Sequence, residues 1–196
     1  ENSPYLKEFE DLTFYTNLNR IKTWKIPISI NISPKTFESS QIFELITKYE
    51  ELLSNLPVPM VIEITERSLA KNIPRFQKVL KLLKSYDIKV ALDDFGTGYS
   101  ALNYLKDFPI DLVKIDKSFI DLILEDEKTC YITTTIINLA KKFGIETLAE
   151  GVELEDQVVL LRKLGVDYIQ GFYFAPPLPE KEFEEVLKEQ PFVGRI

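Results

Sequence analysis

The run Ile88-Lys89-Val90-Ala91-Leu92-Asp93-Asp94, followed at once by Phe95-Gly96-Thr97-Gly98, decides the fold of this chain. It begins as an aliphatic, strand-like segment and ends on two adjacent acids and a glycine turn. Outward in both directions the pattern returns, with strand-like runs at Ile26–Asn31, Met60–Thr65, Ile110–Asp116, Ile145–Glu150 and Val166–Phe174. Helical periods fill the intervals. After an amphipathic opening over Pro4–Trp24, Ile42, Leu45, Ile46, Tyr49, Leu52 and Leu53 form one apolar stripe. Phe76, Val79, Leu80 and Leu83 form a second, and Ile132, Ile136, Leu139, Ala140 and Phe143 a third. Pro34 and Pro74 suit first turns of helices, and Gly144 and Gly165 stand where C-terminal caps belong. This βα alternation, with a period of about 30 residues, predicts parallel strands joined by right-handed crossovers. Both an open doubly wound sheet and a βα barrel satisfy it. Six units are two fewer than a closed barrel, which takes about 250 residues.

Composition narrows the chemistry. The 196 residues are 45% apolar with no low-complexity tract, as expected of one domain over residues 1–196. No apolar run approaches the roughly 20 residues that span a bilayer, and the first residues lack the basic and apolar regions of a signal peptide, so a cytoplasmic location is expected, with a membrane tether possible only through other domains. There is no His, which excludes Ser-His and Cys-His nucleophilic systems and imidazole-held metals. The single cysteine, Cys130, allows neither an internal disulfide nor a Cys-rich metal site. A net charge of −7, without a basic cluster, argues against long nucleic acid as a partner.

Polar residues gather at one place in every unit, the C-terminal end of the strand: Asn31, Glu63, Asp93 with Asp94, Lys114 with Asp116, Glu150, and Gln170. In βα barrels that end forms the active-site face, and in open α/β sheets it carries ligands. Strand alternation sets Glu63 and Thr65 on one face against Ile62 and Ile64, and Lys114 and Asp116 against Val113 and Ile115. A ring of inward Asp, Glu and Asn needs cations or Lys, and oxygen donors without His or Cys suit Mg²⁺ or Mn²⁺ better than Zn²⁺. Each acid taken singly reads as a helix cap or surface ion pair, and Lys114 as a side chain reaching the rim. Their recurrence at corresponding positions favours a metal site.

The motifs Ser29-Ile30-Asn31-Ile32-Ser33, Glu63-Ile64-Thr65-Glu66, Asp93-Asp94-Phe95-Gly96-Thr97-Gly98-Tyr99-Ser100, Lys114-Ile115-Asp116, Ala149-Glu150-Gly151-Val152-Glu153 and Gln170-Gly171-Phe172 resemble, in order and spacing, the EAL-domain family of bacterial cyclic-di-GMP phosphodiesterases. The resemblance implies a modified TIM-type (β/α) barrel that hydrolyses cyclic di-GMP to linear pGpG with two divalent ions. It implies that Asn31, Glu63, Asp93, Asp94 and Glu150 are metal ligands, with Asp93 bridging, and that Lys114 and Glu150 are catalytic, Lys114 orienting or stabilising the attacking water or hydroxide. Glu153 and Gln170 resemble substrate-pocket residues. Glu66 resembles the anchor of the loop Asp94–Ser100, which implies a homodimer through that loop, and further signalling domains in a parent protein are expected. The resemblance also implies about two strands ahead of Glu1, one bearing a Glu-Ala-Leu sequence that these 196 residues do not contain. A catalytically silent receptor or interaction module is the alternative. A sugar-phosphate barrel enzyme would need a phosphate-binding glycine cluster that Gly151 and Gly171 do not supply.

Overall fold

The computed structural model describes residues 5–65, 73–96 and 105–189. The chain divides into two compact units, the first running to Leu92 and taking in Asp107–Ile110, the second taking in Asp93 and the chain from Asp111 onward.

In the first unit, α1 (Leu6–Trp24) buries Phe14, Leu18 and Ile21 along one face and stops where Lys25 turns left-handed, its N–H donating to the Ile21 carbonyl. Strand β1 (Ser29–Asn31) leads into α2 (Pro34–Glu38), whose first residue is the expected proline and whose cap is the Ser33 hydroxyl, accepting from the Thr36 N–H. The stripe read from Ile42 to Leu53 is carried by two short helices, α3 (Gln41–Lys48) and α4 (Glu50–Leu53), with the chain breaking helical geometry at Tyr49. Strand β2 (Val61–Thr65) pairs parallel with β1, and α5 (Ile73–Ser85) buries the four apolar residues expected of it. Phe76 of α5 packs between Phe37 and Phe108, with ring centroids 5.0 and 4.8 Å away. Glu10, on the buried face of α1, is a carboxylate that the apolar periodicity does not anticipate. It accepts bonds from the Ser33 N–H (3.1 Å), the Thr36 hydroxyl and the Gln41 amide, and so tolerates burial.

In the second unit, after the end of β3 (Lys89–Phe95), come β4 (Leu112–Ile115), α6 (Lys117–Leu122), α7 (Glu127–Phe143), β5 (Glu146–Ala149), α8 (Glu155–Leu164), β6 (Tyr168–Ile169) and α9 (Glu180–Glu189). Strands β4, β5 and β6 pair parallel in succession. Gly144 and Gly165 adopt positive φ, 70° and 79°, and cap α7 and α8 as expected.

Strand order in the sheet is β1-β2-β3-β4-β5-β6, each strand beside its successor. A doubly wound sheet reverses direction part way across, so this monotonic order is that of a βα-barrel wall and resolves the choice that periodicity left open. Three local expectations are corrected. The strand expected over Val166–Phe174 is only Tyr168–Ile169, because the chain turns at Gly171 to bond with Val152. Asp116 caps α6, its carboxylate accepting from the Ser118 N–H at 3.0 Å. The buried face of α7 is Thr133, Ile136, Ile137 and Ala140, while Ile132 and Phe143 are exposed. No described helix is long and apolar enough to cross a membrane.

Candidate active site

The second unit brings three of the expected residues together. Lys114 lies on β4 with its ammonium inside the protein, only 6% exposed, and an unpaired buried cation there would be strongly unfavourable. Its Nζ lies 2.9 Å from Asp93 Oδ1 and 2.9 Å from Glu150 Oε1. The backbone aligns these groups. Lys114 is the register partner of Leu148, Ile115 of Ala149, and the Glu150 N–H continues the ladder by donating to the Ile115 carbonyl at 3.1 Å. The Gln170 N–H donates in turn to Ala149 (2.8 Å), setting the exposed Gln170 one step past β6.

At the end of β3 the chain turns sharply. Asp94 has φ 56°, and its N–H donates to Asp93 Oδ1 at 3.1 Å. A non-glycine residue in this region costs on the order of 1 kcal/mol, and Asp is among the residues that tolerate it. Val90, Ala91 and Leu92 are all buried ahead of this turn, Asp94 is exposed and Phe95 is buried again. Gly96 follows at φ 99°, backed against the Phe119 ring.

In the first unit, Asn31 at the end of β1 is the register partner of Glu63 in the middle of β2, and the Ile32 N–H donates to the Glu63 carbonyl at 3.2 Å. Glu63 is 7% exposed between the buried Ile62 and Ile64, whereas Asn31 is exposed. Glu66 and the part of the Asp94–Ser100 loop from residue 97 lie outside the described residues.

Glu153 follows β5 on a loop held by residues that pattern reading did not single out. Lys117 Nζ is 2.7 Å from Glu153 Oε1, and the buried Gln157 accepts from the Glu153 and Leu154 N–H groups at 2.9 and 3.0 Å. The Val152 N–H donates to the Gln170 carbonyl (3.0 Å), and its carbonyl accepts from the Tyr173 N–H (3.0 Å). Gly151, at φ 69° and between Glu150 and Glu153, was the available sequence signal for this packed turn.

The donor chemistry suits a hard divalent cation. One carboxylate oxygen from β3 and one from the residue after β5 already converge on the Lys114 ammonium. Among the described residues, no group of three or more acids, histidines or cysteines is close enough to hold an ion.

A family model described as "EAL domain" matches residues 2–177. The signaling protein YkoW of Bacillus subtilis is 41% identical over 170 residues, covering 87% of this chain and 21% of YkoW. Cyclic di-GMP phosphodiesterase PdeL of Escherichia coli is 37% identical over 156 residues, 80% of this chain and 43% of PdeL. Among solved structures, a manganese/cy-diGMP complex of Klebsiella pneumoniae BlrP1 matches with a TM-score of 0.73 at 27% identity, covering 88% of this chain and 44% of that one. The chain thus spans less than half the length of these relatives.

Proposed function

The chain belongs to the EAL domain family, and from that membership we propose that it is a metal-dependent phosphodiesterase that opens cyclic di-GMP to linear pGpG. The observation that carries this reading is the Lys114 ammonium fixed between Asp93 and Glu150 at the strand ends. Asp93, Asp94 and Glu150, with Asn31 and Glu63, would hold two Mg²⁺ or Mn²⁺ ions, with Asp93 bridging. Such ions supply water activation and neutralise charge on the phosphoryl group. Lys114 holds the attacking water by a hydrogen bond from Nζ and offsets the repulsion between the two carboxylates and the anionic phosphodiester. Glu153 and Gln170 bind the ligand outside the reacting centre. The similarity to a cyclic di-GMP phosphodiesterase of Escherichia coli and to BlrP1, solved as a manganese/cy-diGMP complex, supports the same assignment. A homodimer around Asp94–Ser100 with Glu66 as loop anchor, attachment to further signalling domains and action in the cytoplasm belong to this proposal.

The test is chromatographic detection of pGpG with Mg²⁺ or Mn²⁺, comparing the protein with Lys114→Met. The variant should lose about 100-fold or more in rate, the scale of removing a group that stabilises transition-state charge. Undiminished turnover by Lys114→Met overturns the role of the lysine. Binding of cyclic di-GMP without product from the unmodified protein replaces this reading with the receptor.

A further inference from the structure

Helix α6 holds the Glu153 loop at two points. Through the main chain, Gln157 takes the Glu153 and Leu154 N–H groups on its Oε1 and donates from Nε2 to the Ile120 carbonyl of α6 at 2.9 Å. It is 4% exposed, so its amide bonds form away from competing water. Through the side chain, Lys117, the first residue of α6, reaches Glu153 Oε1 at 2.7 Å and is steadied by Asp121 at 3.0 Å, one turn along its own helix. The lysine stem crosses directly over Gly151, where a β-carbon would collide with Lys117 Cβ, Cγ and Cδ. The absent side chain at Gly151 therefore makes room for this reach.

We propose that Lys117 is a positioning residue for ligand recognition, fixing the carboxylate of Glu153 where it meets the ligand. This rests on the reading of Glu153 as a substrate-pocket residue. Stability does not account for the contact, because both side chains are 48% exposed and such pairs contribute little to folding. A carboxylate can meet only the N–H and O–H donors of cyclic di-GMP, not its phosphates, so its stance decides whether it helps or repels. Lys117 supplies that stance and, with its charge, offsets the repulsion between Glu153 and a dianionic ligand. Hydrogen bonding to Glu153 first, and to Asp121 second, raises the Lys117 pKa above the ordinary lysine value, so the ammonium remains charged across the working range.

Steady-state kinetics on cyclic di-GMP with Mn²⁺ test the proposal in the unmodified protein, Lys117→Met, Lys117→Arg, Glu153→Gln and the Lys117→Met/Glu153→Gln double variant. Lys117→Met should raise KM about two- to fivefold, the scale of an exposed ion pair, with kcat within about twofold. Lys117→Arg should restore most of the loss, and in the Glu153→Gln background Lys117→Met should change nothing more. If Glu153→Gln raises KM but Lys117→Met does not, the positioning role is wrong. If the two effects multiply, Lys117 acts on the ligand directly and the proposal fails. If Glu153→Gln leaves KM unchanged, the substrate-pocket reading fails first and this inference with it, and absence of turnover in the unmodified protein has the same consequence.

Discussion

At Gly171 the backbone runs so close to Val152 that a β-carbon would strike its carbonyl oxygen and amide nitrogen. Those atoms bond to Tyr173 and Gln170, so they cannot yield without loosening the turn past β6. Gly171→Ala should destabilise the protein by about 3 kcal/mol, the upper range for overpacking a fixed site. Gly144→Ala meets no atom within 4 Å and suffers only its left-handed backbone, so about 1 kcal/mol is expected. Urea unfolding of both variants checks the ranking, and equal losses would mean that the Gly171 turn is soft. For the metal site, Asp93→Asn should weaken Mn²⁺ binding more than Gln170→Ala does, because the proposed role of Asp93 is to bridge two ions. Calorimetry giving equal affinities would remove Asp93 from the ligands. Asp93, Lys114 and Glu150 were legible because each repeats one rule, a polar residue closing an apolar strand. Lys117, Gln157 and Glu10 were not, since each bonds to at least one partner 36, 37 or 23 residues away respectively, and no local period marks that contact.

Among the elements, α7 shows how local pattern and tertiary packing diverge. Its apolar stripe predicted a face through Ile132 and Phe143, yet the buried face centres on Thr133, Ile136, Ile137 and Ala140. Thr133 can be buried because its hydroxyl donates to the Thr129 carbonyl at 2.9 Å, leaving its methyl to pack. A polar letter in the sequence therefore concealed a core position. The start of α7 carries a testable charge. Asp126 accepts from the Thr129 hydroxyl and the Thr129 and Lys128 N–H groups, and these bonds, with the Thr129 hydroxyl foremost, hold its carboxyl below the ordinary value. A depressed folded pKa contributes stability above the unfolded value, about 4, and loses it as pH falls through the folded one. Asp126→Asn keeps a cap acceptor but not the charge. The protein should thus be more stable than Asp126→Asn at pH 7, with the gap closing below about pH 4. Thermal unfolding across that range is the measurement, and a gap independent of pH would assign the effect to capping alone.

For the whole molecule, the alternation of strands and helices showed the sequence of elements but not their lateral order, because periodicity reports on a dozen residues and sheet neighbours on several dozen. The monotonic order of six strands is a non-local fact. The two-unit division is another: the boundary falls inside β3, between Leu92 and Asp93, where the sequence reads as one continuous run. The buried, ion-paired lysine has a practical consequence across the surface as a whole. Amine-acylating reagents need an accessible nitrogen, and the Lys114 side chain is 7% exposed with carboxylates on its ammonium, whereas Lys7, although paired with Glu44, is 66% exposed. In a time course followed by peptide mass spectrometry, Lys114 should be tagged later than the exposed lysines and should catch up once the protein is unfolded. Its tagging rate then becomes a clock for the opening of the strand-end site, readable without nucleotide, metal or turnover.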